Sequence, residues 1–206
     1  MNLNYLELIT ISILYLTYFI LWKIKEVTQI KKTGIDPNVI VKSESNLQKY
    51  VGLQFKILSF FFLIAMIFNS IHFELFGLFT RWNLIDNNIF KVIGFIVGMF
   101  GLSICLYAQI KMGNSWRVGI DEKNKTKLIT TGLYSIIRNP TYLGLFLLNV
   151  GFWIIIPTVT IFTLNIIFIY TLEIQVRCEE DYLEKTQGEE YLKYKKKTKR
   201  YIPFIY

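Results

Sequence analysis

The chain has 206 residues, 53% of them hydrophobic and 17% aromatic, and its 23 Lys+Arg against 15 Asp+Glu give a formal net charge of +8. Mean hydropathy is positive at +0.39. Abundant aromatic and branched apolar residues exclude a disordered chain, two cysteines exclude a disulfide scaffold, and apolar residues gathered into long blocks exclude an ordinary soluble domain.

The first apolar block runs over residues 3–22, with Glu7 its only ionisable residue. It lacks a basic leading region and a small-residue cleavage site, so it reads as a retained span rather than a signal peptide. Residues 23–50 then carry six basic residues: Lys23, Lys25, Lys31, Lys32, Lys42 and Lys49. The second block covers 51–71, with Lys56 near its start, where a long side chain can snorkel. The connection 72–91 holds only Arg81 and Lys91 as basic residues, together with His72, the single histidine of the chain. A lone histidine at a span end reads as interfacial, which leaves neither a metal site nor a histidine-based triad.

The third block covers 92–110 and contains Gly94, Gly98 and Gly101, a spacing that lets another helix approach closely. A polar stretch follows, residues 112–144, and the segment from Lys111 to Arg138 inclusive carries six more basic residues. In it Asn139-Pro140 forms a helix start, the asparagine as cap and the proline in the first helical position. The free N–H groups there favour an anion, and Arg138 adds a full positive charge. The apolar run that begins at Tyr142 extends to Gln175, too long for one span of about 20 residues. Pro157 divides it into spans at about 141–156 and 158–175.

The last segment, 173–204, is charged and helical. In helical spacing Gln175 and Glu179 share a side with Tyr182, whereas Arg177 lies near Glu173, Glu180 and Asp181. After Gly188 a short helix opens on Glu189 and Glu190 and closes in lysines, in accord with the helix dipole. Its Tyr191, Leu192 and Tyr194 form an apolar side suited to a membrane interface, and Pro203 is the expected stop.

The sequence therefore predicts an all-α polytopic membrane protein, one domain over 1–206, with about five transmembrane helices and a C-terminal cytosolic helical cap. Twenty of the 23 basic residues lie in 23–50, 111–138 and the tail after the last span. The positive-inside rule then places those segments in the cytoplasm and the N-terminus outside, as for a protein of the cell membrane. This charge meets lipid head groups, not nucleic acid, for which no motif is present. Dinucleotide, P-loop and zinc-protease signatures are also missing. Nothing in the pattern sets an oligomeric state.

The two polar stretches, GLYSIIRNPTYLG and EEDYLEKTQGEEYLKYKKKTKRYIPF, resemble the isoprenylcysteine carboxyl methyltransferase family, part of a wider group that includes membrane phospholipid methyltransferases. Leu128, Ile129, Thr130, Gly132, Tyr134, Arg138, Pro140, Tyr142 and Gly144 match its first motif. Glu179, Glu180, Gly188, Tyr191, Tyr194 and Pro203 match its second. The resemblance covers the C-terminal half and implies a membrane methyltransferase that uses S-adenosylmethionine, with a site built from 112–144 and 173–204. It implies cofactor contacts at Thr126, Lys127, Leu128, Ile129, Tyr134, Asn139, Pro140, Thr141, Tyr142 and Glu179, and catalytic roles for Arg138 and Glu179.

At two positions the chain departs from the family pattern. Asn139 stands where the family has histidine, and Gln175 where it has a substrate-binding arginine. Gln175, Arg177 and Arg117 are thus the residues expected to meet a lipophilic, membrane-associated acceptor. The family default is O-methylation of an isoprenylcysteine-like carboxylate. N- or S-methylation of a lipid or small molecule, an NADPH-dependent reductase of the sterol-reductase type, and a non-catalytic membrane protein remain as alternatives.

Overall fold

The computed structural model describes residues 5–70, 77–124 and 126–203. Six α-helices follow one another: α1 Tyr5–Thr33, α2 Asn46–Ser70, α3 Asn88–Met112, α4 Pro140–Ile155, α5 Val159–Gln187 and α6 Glu189–Lys197. Two single 3-10 turns, Gly113–Ser115 and Gly132–Ser135, lie between α3 and α4. No strand occurs among the described residues.

Helices α1, α2, α3 and α5 are long and apolar enough to cross a bilayer. The expected fifth span, α4, has 16 residues, about 24 Å at 1.5 Å per residue, shorter than a hydrocarbon core of about 30 Å. The described residues thus form an all-helical integral membrane protein with four helices long enough to span and one shorter apolar one. Pro157 separates α4 from α5, and the Thr158 hydroxyl caps the new helix by accepting from Ile161 N at 3.3 Å.

Helix α1 does not stop at Trp22. No glycine or proline interrupts the chain before Gly34, so the helix carries Lys23, Lys25, Lys31 and Lys32 beyond the apolar stretch instead of leaving them in a loop. Helix α6 likewise ends at Lys197, with extended Thr198 behind it, and not at Pro203. The reading of His72 as interfacial, and the ends of two expected spans at Leu3 and Ile71, lie outside the described residues.

Helix α3 packs antiparallel on α4, and their glycines explain how closely. A Cβ built on Gly94 would lie 2.8 Å from the carbonyl oxygen of Gly151, and one on Gly151 2.6 Å from that of Gly94. Gly101 and Gly144 face each other in the same way. Without a hydrophobic driving force between helices in lipid, this backbone-to-backbone packing is what joins them. Leu14, Leu102, Cys105, Ile155, Ile161 and Leu172 fill the interior beside it.

The two ends of the bundle differ. At one end, buried Glu7 of α1 accepts from Arg81 Nη1 at 2.7 Å and from Asn69 Nδ2 at 2.7 Å, while Lys91 Nζ lies 2.7 Å from Asp86 and 3.6 Å from Glu7. Two acids and two bases compensate one another where α1, α2 and α3 meet. At the other end gather the end of α1, the start of α2, the 113–139 segment, the far part of α5 and α6.

Candidate active site

The 113–121 segment is held against the ends of α1 and α2 by many weak ties. Lys25 Nζ donates to Gly113 O at 2.7 Å, and Gln29 Nε2 to Trp116 O at 2.8 Å. Val118 N donates to Pro37 O, and Ile40 N to Val118 O, both at 2.9 Å. Gly119 has φ +93°, and a Cβ there would meet the Ile40 backbone at 2.7 Å, so only glycine permits this crossing. The far part of α5 holds the other edge: Tyr182 Oη donates to Asp121 O at 3.0 Å and Gln187 Nε2 to Thr126 O at 3.1 Å.

These ties leave a cleft of about 170 Å³ between the 112–142 segment, α5 and α6. Of the residues expected at the site, Thr126, Lys127, Leu128, Ile129, Tyr134, Asn139, Thr141, Tyr142, Glu179, Arg138 and Arg117 all line it. Pro140, Gln175 and Arg177 are not among its lining residues. Pro140 is buried at the start of α4. Arg177 is exposed on the outside of α5 and pairs with Glu173 at 2.8 Å. Gln175 lies behind the wall, where its amide and that of Gln48 donate to each other at 3.2 and 2.9 Å.

Two functional expectations change with the geometry. Asn139 starts α4 without a side-chain capping bond, and its Nδ2 donates to Glu180 Oε1 at 3.0 Å. Arg138, expected to face a bound anion, is committed within the protein. Its Nε donates to Glu180 Oε1 at 3.0 Å and its Nη1 to Thr198 O at 2.5 Å. Glu180, 3% exposed, also accepts from Arg200 Nη2 at 2.9 Å. Backbone bonds complete this closure: Arg138 N to Lys199 O at 2.7 Å, and Lys199 N to Ile136 O at 3.0 Å. The C-terminal strand of chain thereby straps the start of α4 to α5.

The two carboxylates of the cleft are in different states. Asp121 Oδ2 accepts from Arg117 Nε at 2.8 Å and from Asn124 Nδ2 at 3.1 Å, while Oδ1 accepts from the N–H groups of Lys123 and Asn124. Burial alone would raise its carboxyl, but these donors outweigh it and hold Asp121 below the usual carboxylate range. Glu179 concentrates its bonds on one oxygen. Oε1 accepts from Tyr142 Oη at 2.6 Å and Gln175 Nε2 at 2.8 Å. Oε2 accepts from no described residue. On the loop side, burial pushes the Tyr134 phenol up, so it stays protonated at neutral pH.

The cleft also presents donors without partners. Because Asn139 does not cap, Thr141 N and Tyr142 N at the start of α4 reach no carbonyl among the described residues. Thr141 Oγ1 and Tyr191 Oη are buried without a hydrogen-bond partner. Lys127 is exposed on the rim and enters no ion pair among the described residues. Sequence reading missed Trp116, Asp121 and Leu183, which also line the cleft. It placed Tyr191 and Tyr194 at a membrane interface, whereas both are buried against the cleft, Tyr194 Oη donating to Tyr134 O at 2.8 Å. An amphipathic pattern marks an apolar face without saying whether lipid or protein covers it.

Comparison with known proteins places these residues in context. The phospholipid methyltransferase family model matches residues 89–190, from the start of α3 to the start of α6. Protein-S-isoprenylcysteine O-methyltransferase of Xenopus laevis is 32% identical over 120 residues, covering 56% of this chain and 41% of the relative. The Saccharomyces cerevisiae protein of the same name is also 32% identical over 120 residues, covering 53% of this chain and 46% of the relative. Protein-S-isoprenylcysteine O-methyltransferase B of Arabidopsis thaliana is 26% identical, covering 53% of this chain and 60% of the relative. The chain thus matches roughly half the length of these curated relatives. The fold resembles that of a eukaryotic intramembrane Ras methyltransferase (isoprenylcysteine carboxyl methyltransferase), with a TM-score of 0.52 at 21% identity over 87% of this chain and 61% of that one. In its two motifs and its helical membrane fold the chain resembles the isoprenylcysteine carboxyl methyltransferases, and the phospholipid methyltransferase model matches just under half of it.

Proposed function

We propose that residues 1–206 act as one membrane-embedded methyltransferase domain that moves the methyl group of S-adenosylmethionine to a lipophilic, membrane-associated acceptor. The observation that carries this reading is the set of unpartnered donors in the cleft: Thr141 Oγ1, Tyr191 Oη and the two N–H groups at the start of α4. Buried donors without partners cost stability unless a ligand satisfies them. A methionine carboxylate suits the N-terminus of α4 together with Lys127. The faces of Tyr134, Tyr142 and Trp116 suit a sulfonium, which aromatic rings attract. When bound, the cofactor supplies a methyl group on a good leaving group, so the protein's task is alignment and exclusion of water. The strap closed by Arg138 and Glu180 fixes the start of α4, and Tyr182 and Gln187 fix the loop over it.

The cleft lies at the bundle end that carries the basic segments. It therefore opens to the cytoplasm, with the N-terminus outside and the C-terminus inside a cell membrane. An acceptor with a long apolar tail reaches it laterally from the bilayer. The relatives' names point to a prenylated cysteine as one such molecule.

Calorimetric titration of the protein in nanodiscs tests this. S-adenosylmethionine and S-adenosylhomocysteine should both bind, and Tyr142→Ala should weaken the former by more than tenfold. No heat at millimolar ligand, or saturable binding of NADPH in its place, would reject the methyltransferase reading.

A further inference from the structure

Two buried glutamines connect the cleft to α2, a helix outside residues 89–190 that the family model matches. Gln48, in the first turn of α2, and Gln175 of α5 are each 1% exposed, and neither lines the cleft. Their amides form a closed pair: Gln48 Nε2 donates to Gln175 Oε1 at 2.9 Å, and Gln175 Nε2 to Gln48 Oε1 at 3.2 Å. Both ends of the pair reach the cleft wall. Ile120 N donates to Gln48 Oε1 at 3.3 Å, and Gln175 Nε2 also donates to Glu179 Oε1 at 2.8 Å. Ile120 and Glu179 both line the cleft.

An isolated amide pair satisfies itself equally well with both amides turned over. The two ends forbid that here, because a backbone N–H only donates and a carboxylate only accepts. Reversal would set Gln48 Nε2 against the Ile120 N–H and Gln175 Oε1 against the Glu179 carboxylate. Two attractions would become two repulsions in a buried place. The loop N–H therefore fixes the sense of both amides, and Glu179 receives a donor. The loop itself does not depend on this bond, since Pro37, Ile40, Gln29 and Tyr182 hold the 113–121 segment independently. What Gln48 adds is direction. Glu179 is held by Gln175 and Tyr142 on Oε1, with Oε2 left for the cleft.

We propose that Gln48 is a positioning residue of the cofactor site, setting through Gln175 the donor that orients Glu179 toward the ligand. This rests on the methyltransferase reading. Helix α2 is then part of the machinery as well as an anchor in the bilayer: it carries the side chain that ties the loop at Ile120 to the carboxylate on α5. The role concerns the cofactor side of the cleft and is the same for any acceptor.

Two variants of the protein in nanodiscs test this, by calorimetric titration with S-adenosylhomocysteine at about pH 6 and about pH 9. Gln48→Leu keeps the bulk and removes donor and acceptor. It should weaken binding by about tenfold at both pH values, the effect of one misplaced hydrogen bond to a charged group. Gln48→Glu keeps the acceptor for Ile120 and has a donor for Gln175 only while its carboxyl is protonated. So deeply buried and so near Glu179, that carboxyl holds a proton at about pH 6 and is ionised at about pH 9. Its affinity should be within threefold of parental at the lower pH and at least tenfold weaker at the higher. Asp121, Tyr142, Glu179 and Tyr182, with Arg117 and Lys127, are the other titratable groups of the cleft and are common to variant and parent. Each affinity is therefore taken as a ratio to the parental value at the same pH. Added to Gln175→Leu, the same substitution should lose its pH dependence, because the acceptor of the O–H is gone. Binding by Gln48→Leu within twofold of parental, a Gln48→Glu ratio equal at both pH values, or a pH dependence that survives Gln175→Leu would overturn the proposal. Where Gln48→Leu fails to fold, the pH series on Gln48→Glu decides, and failure of that variant to fold at about pH 6 counts against the proposal, since the neutral carboxyl restores the bonding pattern. Absence of binding in the parental protein would instead reject the methyltransferase reading beneath it.

Discussion

The strap over the start of α4 can be cut at one atom group. Glu180 accepts from Arg138 Nε at 3.0 Å, Asn139 Nδ2 at 3.0 Å and Arg200 Nη2 at 2.9 Å, with the Arg138 and Arg200 side chains only 10% and 15% exposed. Glu180→Ala leaves two nearly buried guanidinium groups without this carboxylate. Breaking such a pair costs about 3–5 kcal/mol. Arg200 retains Glu173, and Arg138 retains two carbonyls, which argues for the low end, about 3 kcal/mol. At about 1.4 kcal/mol per decade, the open state of the strap then becomes about 100-fold more populated. Glu180→Gln keeps an acceptor oxygen and the shape but loses the charge, so about tenfold is expected. Hydrogen exchange read by mass spectrometry reports this directly, through the Arg138, Asn139 and Lys199 amides that bridge strap and α4. Faster exchange should be confined to peptides covering 136–142 and 197–203. Parental exchange there in Glu180→Ala, or an increase shared equally by α1 and α2, would refute the strap as the element that fixes the cleft.

Three further outcomes follow from other parts of the structure. Asp121 is held below the usual carboxylate range, so its contribution is present above the unfolded value of about 4 and is lost as pH falls through the depressed folded value. Trp116 fluorescence should therefore report loosening of the 113–124 segment only below about pH 4, and Asp121→Asn should loosen it at neutral pH. A Cβ on Gly101 meets the Gly144 carbonyl and Leu148 N, whereas one on Gly98 meets only the movable Leu14 side chain. Gly101→Ala should accordingly cost about 2 kcal/mol or more and Gly98→Ala under about 1 kcal/mol, measured by thermal unfolding in one detergent. At the far end of the bundle, Arg81→Ala strips Glu7 of its bidentate partner and should destabilise the fold by about 3 kcal/mol, while calorimetry shows unchanged cofactor affinity in the protein that remains folded.

What the sequence made legible, and what it did not, divides by the range of the interactions. Spans were readable because hydropathy is a local average, and the start of α4 because Asn139-Pro140 carries its own signal. The glycines of α3 announced a close partner, and α4 supplies the matching Gly144 and Gly151. Bonds between residues far apart in the chain left no such mark. In the sequence Arg81 is one of two basic residues of the 72–91 connection, and nothing local marks its bond to Glu7, 74 positions away. Gln48 drew no attention before the fold brought it to Gln175, 127 positions on.

The same distinction explains why Arg138 changed role while Glu179 kept its place in the cleft. A basic residue beside a helix start has a favourable field for an anion whatever the anion is, and the sequence could not say that a protein carboxylate would be the one to arrive. Glu180 fills that field from α5, and Arg200 shares it from the C-terminus. One residue earlier, Glu179 is turned by 100° around the same helix, away from both arginines and toward Tyr142 and Gln175. Two adjacent glutamates therefore divide the work by helix geometry alone. The one facing the guanidinium groups closes the structure, and the one facing uncharged donors keeps an oxygen open to whatever occupies the cleft.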